Sequence, residues 1–274
     1  MLRPARSVLF LPASNPRAVD KARGLACDVA ILDLEDAVAP EAKAEARDAA
    51  VEAVRSGGFG PRLGVRINGL DTEWGEADLQ ALSAAGAALV VAPKVEDAAA
   101  VRALIDRLPN GAALWAMIET PKALFNLHDL AASGAPLEAL MLGVNDLAAG
   151  LGTGPSPDRE PLKPWLAATV AAARAHGRLA IDGVFNRFTD TDGFAAECAQ
   201  ARRYGFDGKS LIHPSQVDAA NAAFSPSPED VARARAVVAA FAAPEAAGKG
   251  AIQVDGRMAE RLHLAAAEQL LARL

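Results

Sequence analysis

Short apolar runs recur along the chain as far as Ile212, and glycine, proline or an acidic residue closes most of them. Their apolar character is continuous rather than alternating, which is typical of strands buried on both faces of a parallel sheet. Eight such runs can be identified. The predicted strands are Val8–Leu11, Val29–Leu34, Leu63–Ile67, Ala88–Ala92, Leu114–Ile118, Ala139–Val144, Leu179–Val184 and Gly208–Ile212.

Segments with helical composition separate the predicted strands, and the clearest are Glu41–Arg55, Val95–Leu108, Lys163–His176 and Asp190–Tyr204. A helix after each strand requires parallel pairing through right-handed crossovers. Two α/β architectures satisfy this pattern, a closed (β/α)8 TIM barrel and an open doubly wound sheet. The count of eight strands favours the barrel.

Residues 224–274 lie outside this alternation and predict appended C-terminal helices. Ser227, followed by a proline and two acidic residues, predicts an N-cap and a helix that runs to about Ala242. A last helix is predicted over Met258–Leu274. We therefore divide the chain into a barrel, residues 1–223, and a helical extension that packs on the barrel or on a neighbouring subunit.

The composition excludes several classes of protein. Hydrophobic residues make up 51% of the 274, so the chain can bury a large core and is not disordered. A net charge of −6 without a basic block argues against nucleic acid as a partner. Cys27 and Cys198 form no CxxC pair, and no apolar run approaches the roughly 18 to 20 residues of a membrane span. We expect a cytoplasmic protein with a small-molecule substrate and no membrane partner.

Acidic and basic residues follow the predicted strands, where barrels of this kind carry their active sites. Glu119 and Asp146 follow adjacent strands, so their carboxylates meet above the barrel. Two carboxylates with water and substrate oxygens suit Mg²⁺, whereas zinc prefers histidine or cysteine. Asp146 could instead cap the helix that follows it. Glu119 is a poorer cap, because the next residue, Thr120, is better suited to cap the following helix.

Arg66 ends the third predicted strand and supplies a planar cation for a substrate carboxylate or a developing oxyanion. The alternative is an ion pair with Glu35 or Asp36, and both roles can hold together. Lys209 and His213, around the eighth strand, fit packing at the barrel rim or catalysis. The long irregular segment Thr153–Pro164 follows the sixth strand, on the side where loops usually serve a site.

Seven motifs, in the same order, resemble the citrate lyase β-subunit-like (CitE-like) family of the HpcH/HpaI aldolase superfamily, which includes malyl-CoA and citramalyl-CoA lyases. The motifs are RSVLFLPASNPR, DVAILDLEDAV, VRIN, APKVE, MIETPKAL, GVNDLAAGLG and GFDGKSLIHPSQV. The resemblance implies a (β/α)8 barrel, usually trimeric, that breaks or forms a carbon–carbon bond beside a thioester with Mg²⁺.

By the same resemblance, Glu119 and Asp146 are the metal ligands, Glu119 and Arg66 contact the substrate, and Arg66 acts in catalysis with the acidic pair Glu35 and Asp36. A second feature of some relatives is an acidic residue near the C-terminus that reaches a neighbouring active site. In this chain Glu260 stands there, where an aspartate is commoner. Its alternative role is that of a solvated residue in the first turn of a helix.

A coenzyme A ester carries several negative charges, so an acidic protein needs a local basic patch to bind it. The candidates near the first strand are Arg6, Arg17 and Lys21, of which the last two lie on one helix face. An ordinary solvated helix surface is the alternative.

The resulting prediction is a free Mg²⁺-dependent lyase for a malyl-CoA- or citramalyl-CoA-type ester, acting through a thioester enolate. Three alternatives stay open: the β subunit of a citrate lyase complex that acts on an acyl-carrier-protein thioester, a pyruvate-type aldolase, and a catalytically silent barrel that binds CoA esters.

Overall fold

The computed structural model describes residues 5–154, 156 and 158–272. Eight parallel strands pair in chain order, and the first also pairs with the eighth, which closes a barrel. Each predicted strand overlaps an observed one, and the ends agree within two residues. The strands are β1 (Ser7–Pro12), β2 (Val29–Asp33), β3 (Arg62–Arg66), β4 (Leu89–Ala92), β5 (Ala113–Ile118), β6 (Leu137–Leu142), β7 (Leu179–Asp182) and β8 (Gly208–Leu211).

Helices connect the strands, and side-chain caps define where several of them begin. Asp97 accepts a hydrogen bond from the Ala100 N–H, so the helix predicted from Val95 starts three residues later. Thr120 caps its helix as predicted. The helices up to residue 224 are α1 (Pro16–Ala22), α2 (Lys43–Ser56), α3 (Gly75–Ala85), α4 (Ala98–Ile105), α5 (Pro121–Phe125), α6 (Leu127–Ala131), α7 (Val144–Leu151), α8 (Lys163–Ala175), α9 (Thr191–Tyr204) and α10 (Val217–Phe224).

The two faces of the sheet are buried in separate apolar clusters. In β2, Val29 and Ile31 belong to a cluster built almost wholly from strand residues, which fills the barrel interior. Ala30 and Leu32 belong to a second cluster that includes helix residues and lies between strands and helices. The closed ring of eight parallel strands confirms the (β/α)8 prediction. Both faces of each strand carry apolar side chains, as this fold requires.

Residues 225–272 form a second compact unit with its own small apolar core around Val237 and Phe241. Ser227 caps the first helix of this unit, and its end at Ala242 agrees with the prediction. The elements are α11 (Pro228–Ala242), β9 (Ala251–Val254), β10 (Arg257–Glu260) and α12 (Arg261–Leu271).

The helix predicted from Met258 is wrong at its start, because β9 and β10 form an antiparallel hairpin. Asp255 and Gly256 connect them with φ values of 49° and 76°. Left-handed backbone at both positions is the two-residue turn that an Asp-Gly pair favours. The helix begins at Arg261 instead, and the last two residues of the predicted span lie outside the described part of the chain.

Among the described helices, none combines the length and the apolar character that crossing a membrane requires.

Candidate active site at the mouth of the barrel

A cavity of about 380 Å³ opens at the carboxyl ends of the barrel strands. Five charged side chains line it: Asp33, Asp36, Arg66, Glu119 and Asp146. They come from the ends of β2, β3 and β5, from the loop after β2, and from the helix α7 that follows β6. Of the residues predicted from the strand ends, Asp36, Arg66, Glu119 and Asp146 therefore meet at one place.

Strand periodicity explains which side chains reach the mouth. Successive residues of a strand face opposite sides, so Asp33 continues the inward register of Ile31. Gly64 faces the interior too, because a Cβ there would lie 2.8 Å from the Ile31 Cδ1. Arg66, two residues on, and Glu119, after β5, follow the same rule. The inward-facing residues of the strands are thus apolar inside the barrel and charged at its mouth.

Arg66 is held by three carboxylates. Its Nε and Nη2 donate to the Asp33 Oδ1 and Oδ2 at 2.7 and 2.6 Å. Its Nη1 lies 2.8 Å from the Glu35 Oε2 and 3.8 Å from the Asp36 Oδ2. Burial alone would lower the pKa of Arg66, but its hydrogen bonds to Asp33 and its attraction to Asp33, Glu35 and Asp36 together outweigh burial and raise it. The predicted ion pairs are present, and the stronger partner, Asp33, was missed.

Glu119 is almost fully buried, with 2% of its surface exposed. The Lys94 N–H donates to its Oε1 at 2.7 Å. Burial, reinforced by repulsion from Glu35, raises the pKa of Glu119 to about 7. A buried carboxylate that resists ionisation beside a second carboxylate is a site that a cation would stabilise.

Asp146 lies in the first turn of α7 and lines the same cavity. The helix begins at Val144 with Gly143 as the N-cap, so the alternative of a capping role is not observed. Gly143 has no side chain, and a Cβ there would collide with the Glu119 side chain. This close approach lets the two carboxylates share one cavity.

Within the described ranges, no group of three or more histidine, cysteine, aspartate or glutamate side chains is arranged to hold a metal ion. Glu119 and Asp146 thus offer two carboxylates. This set suits Mg²⁺, which keeps several water ligands and binds substrate oxygens. A structural zinc site would need four protein ligands, mostly cysteine and histidine.

Glu35 contacts the charged residues of the site but does not line the cavity. The Lys94 ammonium donates to its Oε1 at 2.7 Å. Burial raises the pKa of Glu35, although Arg66 and Lys94 oppose that shift. Glu35 therefore links two cations that stand on different strand ends.

Lys43 is a residue that sequence analysis missed. Its buried ammonium donates to the Leu34 and Glu35 carbonyl oxygens at 2.8 and 2.7 Å, and to the Asn68 Oδ1 at 2.7 Å. These bonds fix the loop after β2. A signal was available, because Lys43 falls on the same buried face of its helix as Ala46, where a lysine is out of place unless it is paired.

Asp182 and Lys209 belong to the outward register of β7 and β8, so they do not enter the mouth. Lys209 donates to Asp182 at 2.7 Å and to Glu197 at 2.7 Å, and Arg159 donates to Asp182 at 2.8 Å. Arg159 comes from the long segment after α7, of which residues 155 and 157 lie outside the description. His213 caps the turn at Pro214–Gln216, in line with rim packing.

The three candidates for a basic patch lie at different ends of β1. Arg6 precedes β1 and pairs with Asp28 at 2.7 Å, at the amino end of the strands. Arg6 therefore lies at the end of β1 opposite the mouth. Arg17 and Lys21 are exposed on α1, which follows β1. Glu260 lies in the second unit and is the N-cap residue of α12.

Comparison with known proteins agrees with this geometry. The family model of the HpcH/HpaI aldolase/citrate lyase proteins matches residues 6–214. A (3S)-malyl-CoA thioesterase of Cereibacter sphaeroides is 47% identical over 98% of this chain and 94% of its own. An L-malyl-CoA/β-methylmalyl-CoA lyase of the same species is 38% identical over the same shares.

Solved structures give the same result. The CitE protein of Mycobacterium tuberculosis, in complex with magnesium, acetoacetate and coenzyme A, is 34% identical to this chain. The match covers 99% of this chain and 97% of that one, with a TM-score of 0.81. The resemblance inferred from the motifs is thereby confirmed, and the chain belongs to the HpcH/HpaI aldolase/citrate lyase family.

Proposed function

We propose that this protein is a Mg²⁺-dependent carbon–carbon lyase for a short hydroxyacyl thioester of the malyl-CoA or citramalyl-CoA type. The observation that carries the proposal is the shared cavity of two carboxylates, Glu119 and Asp146, and one braced guanidinium, Arg66. Relatives named for malyl-CoA, and a related structure with magnesium and coenzyme A, support the substrate class and the metal.

Glu119 and Asp146 would hold the metal. When bound, Mg²⁺ supplies a Lewis acid that lowers the barrier to deprotonating the substrate hydroxyl. Asp36 is the carboxylate best placed to take that proton, because it lines the cavity and 56% of its side chain is exposed. Proton transfer to a group in contact with solvent lets the proton leave the site.

The carbon–carbon bond then breaks. The electron pair of the deprotonated hydroxyl oxygen forms the carbonyl group of an oxo acid, and the pair of the broken bond passes into the thioester as an enolate. Arg66 stabilises the enolate oxygen, and Asp33 holds its guanidinium so that no reorganisation is needed. A proton from solvent adds at the enolate carbon, balances the one that left through Asp36 and completes the acyl-CoA product.

Hydrolysis of the thioester is the second candidate, favoured by the 47% identity to (3S)-malyl-CoA thioesterases. The same cation and metal site would then activate the thioester carbonyl toward water, and the products would be a hydroxy acid and free coenzyme A. Both candidates use the same ester, so product identity separates them.

The deciding experiment incubates the pure protein and Mg²⁺ with malyl-, methylmalyl- and citramalyl-CoA and identifies products by mass spectrometry. Cleavage predicts an acyl-CoA and an oxo acid, such as acetyl-CoA and glyoxylate from malyl-CoA. Malate and free coenzyme A without acetyl-CoA would establish hydrolysis instead. Acetyl-CoA alone, incubated in parallel, reports any hydrolysis of the product. Turnover of none of the three esters would contradict both candidates.

The finer expectations belong to the same proposal. We place the protein in the cytoplasm as a homotrimer, and light scattering of the purified protein tests the trimer. Arg17 and Lys21 are proposed to attract the coenzyme, and Glu260 to act as a lid acid. An acyl-carrier-protein thioester in the same assay tests the citrate lyase alternative, and pyruvate aldol products test the pyruvate-type aldolase. Binding of CoA esters without turnover would identify a silent barrel.

A further inference from the structure

Lys94 adopts a backbone conformation that lysine does not favour. It follows β4 with a φ of 50°, in the left-handed region. Of the described residues other than glycine, two more share this property, Arg159 and Asp255. Lysine has no local hydrogen bond that favours the left-handed region, unlike asparagine or aspartate, so the surrounding structure must impose it.

The left-handed conformation brings two groups of Lys94 onto two different carboxylates. Its backbone N–H donates to the Glu119 Oε1 at 2.7 Å, and its ammonium donates to the Glu35 Oε1 at 2.7 Å. The second oxygen of Glu35 lies 2.8 Å from the Arg66 Nη1. One residue therefore connects the carboxylate of the candidate metal site with the group that supports the catalytic cation.

Glu119 has little freedom to compensate for the loss of that contact. Its side chain is enclosed, and on one side it lies where a Cβ of Gly143 would collide with it. The Gly143 side faces the Glu119 Oε2. The Lys94 N–H donates to the Oε1 and so fixes the rotation of the carboxylate. A shift of the Lys94 backbone would therefore turn Glu119 away from the orientation in which it shares the cavity with Asp146.

We propose that Lys94 is a positioning residue with two separable functions, an inference that rests on the proposed function. Its backbone N–H orients Glu119 for the metal ion, and its ammonium holds Glu35 against Arg66. Lys94 acts through these carboxylates, because its N–H and its ammonium each donate to one of them.

Two substitutions separate the two functions. Lys94→Met and Lys94→Val both remove the ammonium, but only valine, which is β-branched, strongly disfavours left-handed backbone. Both variants should lose turnover on the ester that the wild type cleaves. Lys94→Val should also bind Mg²⁺ alone at least about tenfold more weakly than Lys94→Met, by calorimetric titration, because of backbone strain. Lys94→Met should match wild-type Mg²⁺ affinity within about threefold.

Chemical rescue tests the ammonium directly. Lys94→Gly keeps the left-handed conformation without strain and leaves space for a small amine. Ethylammonium should restore part of its turnover and leave its Mg²⁺ affinity unchanged. Tetramethylammonium, a cation without an N–H donor, is the matched control and should restore nothing. Equal rescue by both cations, or by neither, would contradict a hydrogen-bonded ammonium on Glu35.

The outcomes also distinguish a failure of the Lys94 proposal from a failure of the proposed function. A wild-type protein that binds no Mg²⁺ and turns over no ester would contradict the proposed function. Wild-type activity together with equal Mg²⁺ affinity in the valine and methionine variants would contradict only the backbone function of Lys94. Should Lys94→Val fail to unfold cooperatively, Lys94→Thr replaces it, since threonine is also β-branched and disfavours left-handed backbone more than methionine does.

Discussion

Asp33 holds Arg66 through two parallel hydrogen bonds of 2.7 and 2.6 Å, and both side chains are buried. The Asp33 carboxylate also accepts the N–H groups of Glu35 and Ala37 at 2.9 and 3.0 Å. The same aspartate therefore shapes the loop after β2 and fixes the plane of the guanidinium. A preorganised cation of this kind is what stabilisation of an enolate requires.

Arg66→Lys keeps the positive charge but cannot form both bonds to Asp33. We expect turnover to fall by about 10²- to 10³-fold, as for the loss of one stabilising donor elsewhere, with little change in thermal stability. Arg62→Lys is the matched control, because Arg62 pairs with Glu138 at the opposite end of the same strand. Activity of the Arg66 variant within a few-fold of wild type would assign Arg66 a structural role.

Glu119→Ala and Asp146→Ala should each abolish Mg²⁺ binding in calorimetric titration, because two protein carboxylates leave no spare ligand. Both side chains line the cavity at the mouth, so their removal leaves the apolar core intact and the variants should unfold cooperatively. Asp129→Ala, which removes an exposed carboxylate on α6, is the control. Unchanged Mg²⁺ affinity in both variants would exclude this metal site.

Gly143→Ala places a methyl group where the Glu119 side chain lies. Glu119 must move, and overpacking of this kind commonly costs about 1 to 3 kcal/mol. If the cost falls on the metal site, Mg²⁺ affinity drops by about 5- to 150-fold. Gly24→Ala is the control, since a Cβ at Gly24 meets no atom within 4 Å. Wild-type affinity in the Gly143 variant would show that the Glu119 carboxylate can relocate without consequence.

The fold followed from the sequence because its signal is repeated eight times. The site residues could be predicted only in part. In strands buried on both faces, the sequence does not show which of the two alternating sets of side chains faces inward. Asp33 and Asp182 both end an apolar run, yet Asp33 continues an inward register and Asp182 an outward one. The first therefore holds Arg66 at the mouth, and the second pairs with Lys209 outside the barrel.

Two local features of the backbone were not predicted from the sequence, for different reasons. The turn at Asp255 and Gly256 carries a clear hairpin signal, but the helical composition of the following residues obscured it. The left-handed backbone of Lys94 leaves no trace in the sequence, because tertiary contacts impose it against local preference. Positions where local preference is overruled are those that sequence patterns cannot locate.

Asp182 provides a test of acid stability away from the mouth. Burial alone would raise its pKa, but attraction to Lys209 and Arg159 outweighs burial and lowers it. A carboxyl group with a lowered folded-state pKa contributes stability above its unfolded pKa, about 3.9, and loses that contribution as the pH falls through the folded value. Asp182→Asn should therefore destabilise the fold at pH 7 by about 3 to 5 kcal/mol, because it leaves two buried cations short of a partner.

Urea unfolding of wild type and Asp182→Asn at a series of pH values measures this contribution. The difference in the free energy of unfolding should stay constant from neutral pH to about pH 5 and shrink below about pH 4, where the wild-type carboxylate begins to lose its advantage. Asp20→Asn is the control, since Asp20 is exposed and pairs with Arg23 only at 3.8 Å. A difference that persists undiminished to the lowest pH at which both proteins fold would mean that asparagine disrupts packing and that the charge of Asp182 contributes little.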